Sequence, residues 1–432
     1  MMHQDIYLLL REQVSAAALS LDTQFQVASV SVEVPTLSIM EWMGGECPQW
    51  VFRDRDTLEM TAGFGQVVEV SGSYFQHAYG LTQMMSILEG SHPDVRFFGG
   101  HQFGDGDGES YYCWYAIPQL MLRQSADRCQ IFYFFNTFDG ADLLVSFDQF
   151  WKYAFSSESR SLSAHNPGTA PLQFIPDYPT WCRLVEEAQA AIGKGEVSKV
   201  VLARQALLQG KVSGLEVIKR CLANHYHGFL FWIQFPAPIE TQEFFGASPE
   251  LLFSRDGRKV VSEAIAGTAS HGEIGLIDRG KDRKEHQWVL DMVQSQLNLL
   301  CDQVSEPCEL SVIQGNGVQH LYCRVSGILR DDVTDADILL KLHPTPAVCG
   351  FPQLEALQFL NDHEPFKRGF YSGSVGLFGA ESSSVVVAIR CGSVSEQGTA
   401  LYTGAGIVSD SDAHLEWQEL DLKLESLLAV VW

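Results

Sequence analysis

A hairpin signal constrains this chain more than any other feature of its sequence. In FFGASPELLFSRDGRKVVSEAIAGT, residues 244–268, two apolar runs flank Asp256-Gly257. Asp-Gly tolerates positive φ and carries a twist that suits antiparallel strands, which predicts a type I′ turn folding the runs back on each other. Further β-like runs occupy 321–329, 373–378, 384–390 and 398–408, while helical periodicity covers 181–192, 281–300 and 413–431. Gly193 and Gly195 stand where the first of those helices should stop. Helices among hairpin-type strands specify an α+β protein with a largely antiparallel sheet system. No strand–GxGxxG–helix unit and no GxxxxGK[ST] occurs, so dinucleotide-binding and P-loop functions have no anchor.

The polar stretch SSESRSLSAHNPGTAP, 156–171, reads as a connecting loop between an aromatic-rich N-terminal part, 1–170, and a more legible part, 171–432. DGDGE, 105–109, lacks the full spacing of a calcium loop and reads as an acidic surface loop. A formal net charge of −24, without any basic run, argues against nucleic acid or an acidic membrane as partner. Ten cysteines are scattered without a CxxC pair, which fits buried free thiols rather than a zinc ribbon or redox motif. MMHQDIYLLLREQ has a short apolar run broken by Arg11 and Glu12, unlike a secretory leader. No apolar stretch approaches the ~20 residues that span a bilayer. A soluble, cytoplasmic protein is the expectation, with no partner subunit evident.

Several charged side chains fall where an apolar core is expected. In GEVSKVVLAR, 195–204, strand alternation puts Lys199 on the face of Val201 and Ala203. Such a lysine either snorkels to water or is a desolvated amine able to act as a base. Glu250 follows Ser248-Pro249 and precedes Leu251, Leu252 and Phe253, so it is a turn carboxylate or a carboxyl that burial keeps protonated. Glu285 shares a helical face with Trp288, Val289 and Met292, although the positive end of its helix also favours an acid there. Glu416, Glu419 and Lys423 form one helical stripe, either a solvated ion pair or two carboxylates converging on a divalent cation such as Mg²⁺.

The ordered set GEVSKVVLAR, GASPELLF (246–253), EAIAGT (263–268), KEH (284–286), VQHL (318–321), LHPTPAVCGFP (342–352), GFYSGSVG (369–376), VVVAIR (385–390) and YTGAGIVSDSDAHLEWQELDLK (402–423) resembles the chorismate-utilising enzymes. Within them it is most similar to the isochorismate synthases of the menaquinone branch. The resemblance covers roughly 175–432; the N-terminal part matches in size and texture. It implies two large, mostly antiparallel β-sheets packed as a sandwich with helices outside, with 171–432 as the catalytic domain and 1–170 contributing to the same core.

By the same resemblance, Lys199 activates the water that attacks C2 of chorismate, and Glu250 protonates the departing C4 hydroxyl. Glu285 and Glu419 are the implied Mg²⁺ ligands, with Glu416 acting through a metal-bound water. Tyr402, Arg390, the Gly404–Ala405–Gly406 amides and Lys423 are implied to cradle the side-chain carboxylate, with Gly267, Thr268 and His320 around the ring and its C4 hydroxyl. Ala266 stands where aminodeoxychorismate synthase carries the nucleophilic lysine of PIKGT, and Lys199 where anthranilate synthase typically carries glutamine. Both details favour water as nucleophile. Leu422 replaces the Asn that usually precedes the final lysine, and AIAGT replaces the commoner PIAGT; neither removes a reacting group. Salicylate synthase, which also eliminates pyruvate, is the alternative within the family.

Overall fold

The computed structural model describes all residues except 1–2, 20–25, 45–46, 105–111, 138–141, 156–172, 238, 271, 316–317 and 432. The expected loops at 105–109 and 156–171 therefore lie outside the described residues. Two large sheets, of 12 and 10 strands, contain the described strands, and every pairing among them is antiparallel.

The sheets pack face to face through a shared apolar layer. The strand Phe229–Gln234 shows how the sequence dictates this. Phe229, Phe231 and Ile233 point into the layer between the sheets, whereas Leu230 and Trp232 point to the opposite, helix-covered face. Both faces are buried, so the strand is an uninterrupted apolar run rather than an alternating one. Each such side chain contributes about 1.5–3 kcal/mol by leaving water. On the helix side, Ile6, Leu10 and Val14 of His3–Leu19 and Phe147 and Trp151 of Leu143–Ala154 complete a second core. The helices Tyr178–Gly193, Gln353–His363 and Ala413–Val431 cover one end of the 12-stranded sheet with a third.

Segments far apart in the chain alternate across both sheets. Gln49–Arg53 pairs with Phe229–Gln234, and Arg96–His101 pairs with Ser374–Gly379. The chain also changes sheet at one functionally important place: Glu243–Ser248 belongs to the 12-stranded sheet and Leu251–Asp256 to the other. Glu250 sits on that crossing.

The hairpin forms between Leu251–Asp256 and Lys259–Ser270, but its turn is displaced by one residue. Asp256 pairs with Lys259, so the two-residue loop is Gly257-Arg258. Of these two only Gly257 has positive φ, at +54°. That is the pattern of a II′ turn rather than the expected I′, because arginine does not favour the left-handed region. The helix expected over 181–192 spans Tyr178–Gly193, and that over 281–300 spans Gly280–Leu300. The strand expected to run to Arg390 ends at Val387. Arg390 instead takes φ +51°, a conformation that turns the chain away from the sheet.

Candidate functional site

A pocket of about 880 Å³, its open mouth included, is lined by strands of both sheets. Its floor comes from Lys199–Leu208 and Gly398–Ile407 of one sheet and Lys259–Ser270 and Val318–Leu329 of the other. The N-terminal turns of Gly280–Leu300 and the first half of Ala413–Val431 line its wall.

Strand alternation sorts side chains between pocket and core. Val200 and Leu202 pack beneath helices, while Lys199 and Val201 face the pocket. Lys199 is 2 % exposed, so the snorkelling alternative fails. Its Nζ lies 3.2 Å from Glu285 Oε2. Gly406 makes this possible: a Cβ there would stand 2.7 Å from Lys199 Cε and 3.1 Å from Glu285 Oε2. Gly404 leaves comparable room for the Tyr371 hydroxyl. Ala405, by contrast, turns its side chain into the helix-covered core and does not line the pocket, because it lies between two pocket-facing residues of one strand.

Glu250 is 2 % exposed and lines the same pocket. Burial, reinforced by the negative charge of Glu263, raises its carboxyl to about 8; a bond from Thr345 Oγ1 at 3.4 Å and the nearby Lys199 oppose the rise only in part. It is therefore a protonated acid at neutral pH. Its own amide donates to Ser248 Oγ, whose hydroxyl donates to the Val387 carbonyl at 2.6 Å, stitching the crossing to both neighbours.

His320 is a neutral imidazole, held down to about 3 chiefly by burial and then by Arg390 and Lys423. Its Nδ1 stands 3.1 Å from the Gly267 carbonyl and 3.2 Å from Thr268 Oγ1. A carbonyl only accepts, so Nδ1 carries the proton and Nε2 is left as an acceptor. Gly267, at φ +73°, forms a bulge in the pairing of its strand, which brings the Thr268 amide to Asp282 Oδ1 at 3.2 Å.

The three glutamates of the expected cation site all line the pocket, but each is turned to its own lysine. Glu285 meets Lys199, Glu416 meets Lys281 at 2.7 Å, and Glu419 meets Lys423 at 2.6 Å. Accordingly, among the described residues no group of three or more His, Cys, Asp and Glu side chains converges as a ready-made metal cluster. Glu416 is 3 % exposed, so the stripe it heads is not a solvated surface. Burial raises Glu416 while Lys281 opposes. For Glu419 burial works the other way from Lys423 and Lys281, which together prevail and hold it below its usual value.

Lys423, Tyr402 and Arg390 line the same pocket. Lys423 also donates to the Gly404 carbonyl at 2.9 Å. Tyr402 stacks on Tyr371 with centroids 5.1 Å apart, and its hydroxyl lies 2.8 Å from Ser393 Oγ. Arg390 is 9 % exposed, its affinity for the proton reduced by burial, and has no ion-pair partner among the described residues. A guanidinium so placed is ready for an anionic ligand.

Sequence reasoning missed Lys281, Asp282, Thr345 and Tyr371, all near the reacting groups. Lys281 and Asp282 were detectable, since they precede Glu285 by four and three and so share its helical face. Tyr371 reaches the pocket, and Thr345 the Glu250 carboxyl, through loops whose placement no local pattern records.

Residues 13–432 match a family model described as chorismate binding enzyme. It is 30% identical to isochorismate synthase MenF of Pasteurella multocida over 417 residues, covering 92% of this chain and 91% of that protein. It is 36% identical to the chloroplastic isochorismate synthase of Catharanthus roseus, a match covering 60% of this chain and only 46% of the plant enzyme. The solved structure of MenF from Escherichia coli superposes with a TM-score of 0.80 over 98% of this chain and all of that one; at 24% identity this establishes the fold. A buried acid, a lysine and three glutamates in one inter-sheet pocket thus occur in a chain that belongs to the chorismate binding enzymes.

Proposed function

We propose that the protein is an isochorismate synthase, catalysing the reversible conversion of chorismate to isochorismate. The observation that carries this is the pairing within one pocket of an amine, Lys199, with a carboxyl, Glu250, that burial keeps protonated. Lys199 takes a proton from water as its oxygen bonds to C2. The ring double bonds shift and the C4–O bond breaks as Glu250 donates its proton to the leaving hydroxyl, so one water is consumed and one released. Lys199 and Glu250 then recover their starting states by proton exchange. Neutral His320 accepts from the C4 hydroxyl through Nε2, with Gly267 and Thr268 beside it. Arg390, Lys423, Tyr402 and the glycine-rich strand edge at Gly404–Gly406 hold the side-chain carboxylate.

The donor chemistry fits Mg²⁺: Glu285, Glu419 and Glu416 offer only hard carboxylate oxygens. Glu285 and Glu419 would ligate directly and Glu416 through water. Bound there, the ion would anchor the ring carboxylate and draw electron density from the ring. All residues given a role lie between Lys199 and Lys423, which supports 171–432 as the catalytic region. Similarity across nine-tenths of isochorismate synthase MenF of Pasteurella multocida, together with a MenF of Escherichia coli described as menaquinone-specific, favours the menaquinone pathway.

The test is incubation with chorismate and Mg²⁺, with and without EDTA, followed by product separation. Isochorismate formed only without EDTA is expected. Salicylate with pyruvate would move the assignment to the lyase alternative, and unchanged chorismate would overturn it. No helix among the described residues is long and apolar enough to cross a membrane.

A further inference from the structure

Glu263, within the EAIAGT segment, has no role in the chemistry above, yet it is 1 % exposed and ionically bonded. Its carboxylate accepts from Arg55 Nη2 at 2.6 Å, Arg324 Nη2 at 2.8 Å, the Tyr322 hydroxyl at 3.0 Å and the Leu251 amide at 3.2 Å. Arg55 reaches in from the turn between Gln49–Arg53 and Met60–Phe64, its guanidinium 4.6 Å above the Phe229 ring. Its other nitrogen, Nη1, donates to the Pro249 carbonyl at 2.6 Å. Pro249 and Leu251 are the two neighbours of Glu250. Both peptide flanks of the acid are thus tied to one ion cluster, and Asp56 closes it by accepting from Arg55 at 3.0 Å and Arg324 at 2.9 Å.

We propose that Glu263 is a positioning residue for the Glu250 acid, gripping the backbone on either side through Leu251 and Arg55 while placing an anion behind its carboxyl. This rests on Glu250 being the proton donor. The groups facing Glu250 are Lys199 on its strand, the Thr345 hydroxyl on the loop after His343, Arg390 across the pocket and Glu263 on the neighbouring strand. The Thr345 hydroxyl and Lys199 favour the ionised acid and Glu263 the protonated one. Arg55 and Arg324 bond Glu263 rather than the Glu250 carboxyl, so they act on it by moderating the Glu263 charge. The cluster also gives the N-terminal part a task at the reacting centre, through Arg55.

The experiment is a carboxyl ¹³C NMR titration of protein labelled at glutamate Cδ, the Glu250 signal being assigned by its loss in Glu250→Gln. Glu263→Gln removes the anion and leaves two guanidinium groups facing a neutral amide, so the Glu250 midpoint should fall by about one pH unit or more. The high-pH limb of kcat should move with it while KM for chorismate changes little. Arg324→Gln, whose side chain is 40% exposed, leaves Glu263 less neutralised and should move the midpoint and limb upward. Opposite movements are the result expected, since a purely structural role would lower thermal stability in both variants without sending the two midpoints apart. An unmoved or lowered midpoint in Arg324→Gln overturns the proposal, and that variant decides alone if Glu263→Gln does not fold. Full turnover by Glu250→Gln would instead remove the acid assignment and leave the positioning question behind it moot.

Discussion

Replacing Gly406 by alanine tests the site with a single methyl group. The added Cβ would lie 2.7 Å from Lys199 Cε, 3.1 Å from Glu285 Oε2 and 3.2 Å from Lys199 Nζ. Carbon atoms in good contact stand about 3.5–4.0 Å apart, so the lysine stem must retreat by roughly 1 Å. That retreat breaks the 3.2 Å contact with Glu285 and moves the amine from the water it is to deprotonate. A displacement of this size costs on the order of 10²-fold in rate when reacting groups must align. The fold should barely register it. Overpacking costs about 1–3 kcal/mol, and Gly→Ala returns about 0.4–1 kcal/mol by restricting the unfolded chain. For a chain of this size a net loss near 1 kcal/mol lowers Tm by about 2 °C or less. The assay is kcat for isochorismate formation alongside a thermal melt, with Gly193→Ala as control because a Cβ there meets nothing within 4 Å. Gly406→Ala with parental kcat would refute the placement of Lys199 at the reacting water.

Three further outcomes follow from the same geometry. Lys199→Ala should abolish turnover while leaving chorismate binding measurable by calorimetry, and parental turnover would remove Lys199 as the base. Glu250→Gln should abolish turnover yet raise Tm at pH 8 and above. The folded carboxyl at about 8 holds its proton through a range where the unfolded one, near 4.5, has released it, so this group lowers stability as pH rises between those values; equal Tm for parent and variant at pH 9 would contradict it. Glu419→Ala should raise the Mg²⁺ concentration needed for half-maximal rate at least tenfold, and an unchanged metal titration would dismiss Glu419 as a ligand.

The sequence revealed what is local and concealed what is not. Alternation put Lys199 on the face of Val201 and helical spacing put Glu285 on an apolar face, because each judgement needs only a few neighbouring residues; that Lys199 does not reach water and that Glu416 is buried are settled only by the packing around them. The turn after Asp256 was misplaced by one residue since Asp-Gly is compatible with two registers, and the pairing of Asp256 with Lys259 is fixed by the sheet. The sandwich itself followed from family resemblance, not from periodicity. No pattern within 244–253 shows that the chain changes sheet at Glu250, and that crossing is what desolvates the carboxyl. Likewise nothing local marks Glu263 as the centre of an ion cluster, because its partner Arg55 stands 208 positions earlier.

Interleaving of early and late strands has a consequence for how the protein is made. As the ribosome works from the first codon, Arg96–His101 emerges with one flank unbonded, and its mate Ser374–Gly379 comes only 273 positions later. At elongation speeds of about 5–20 residues per second, that flank waits for tens of seconds. Throughout this interval a nascent chain presents raw β-edges rich in phenylalanine, the kind of surface that recruits holding chaperones or seeds self-association. Heterologous yield should therefore depend less on final stability than on what shields the half-made sandwich during translation.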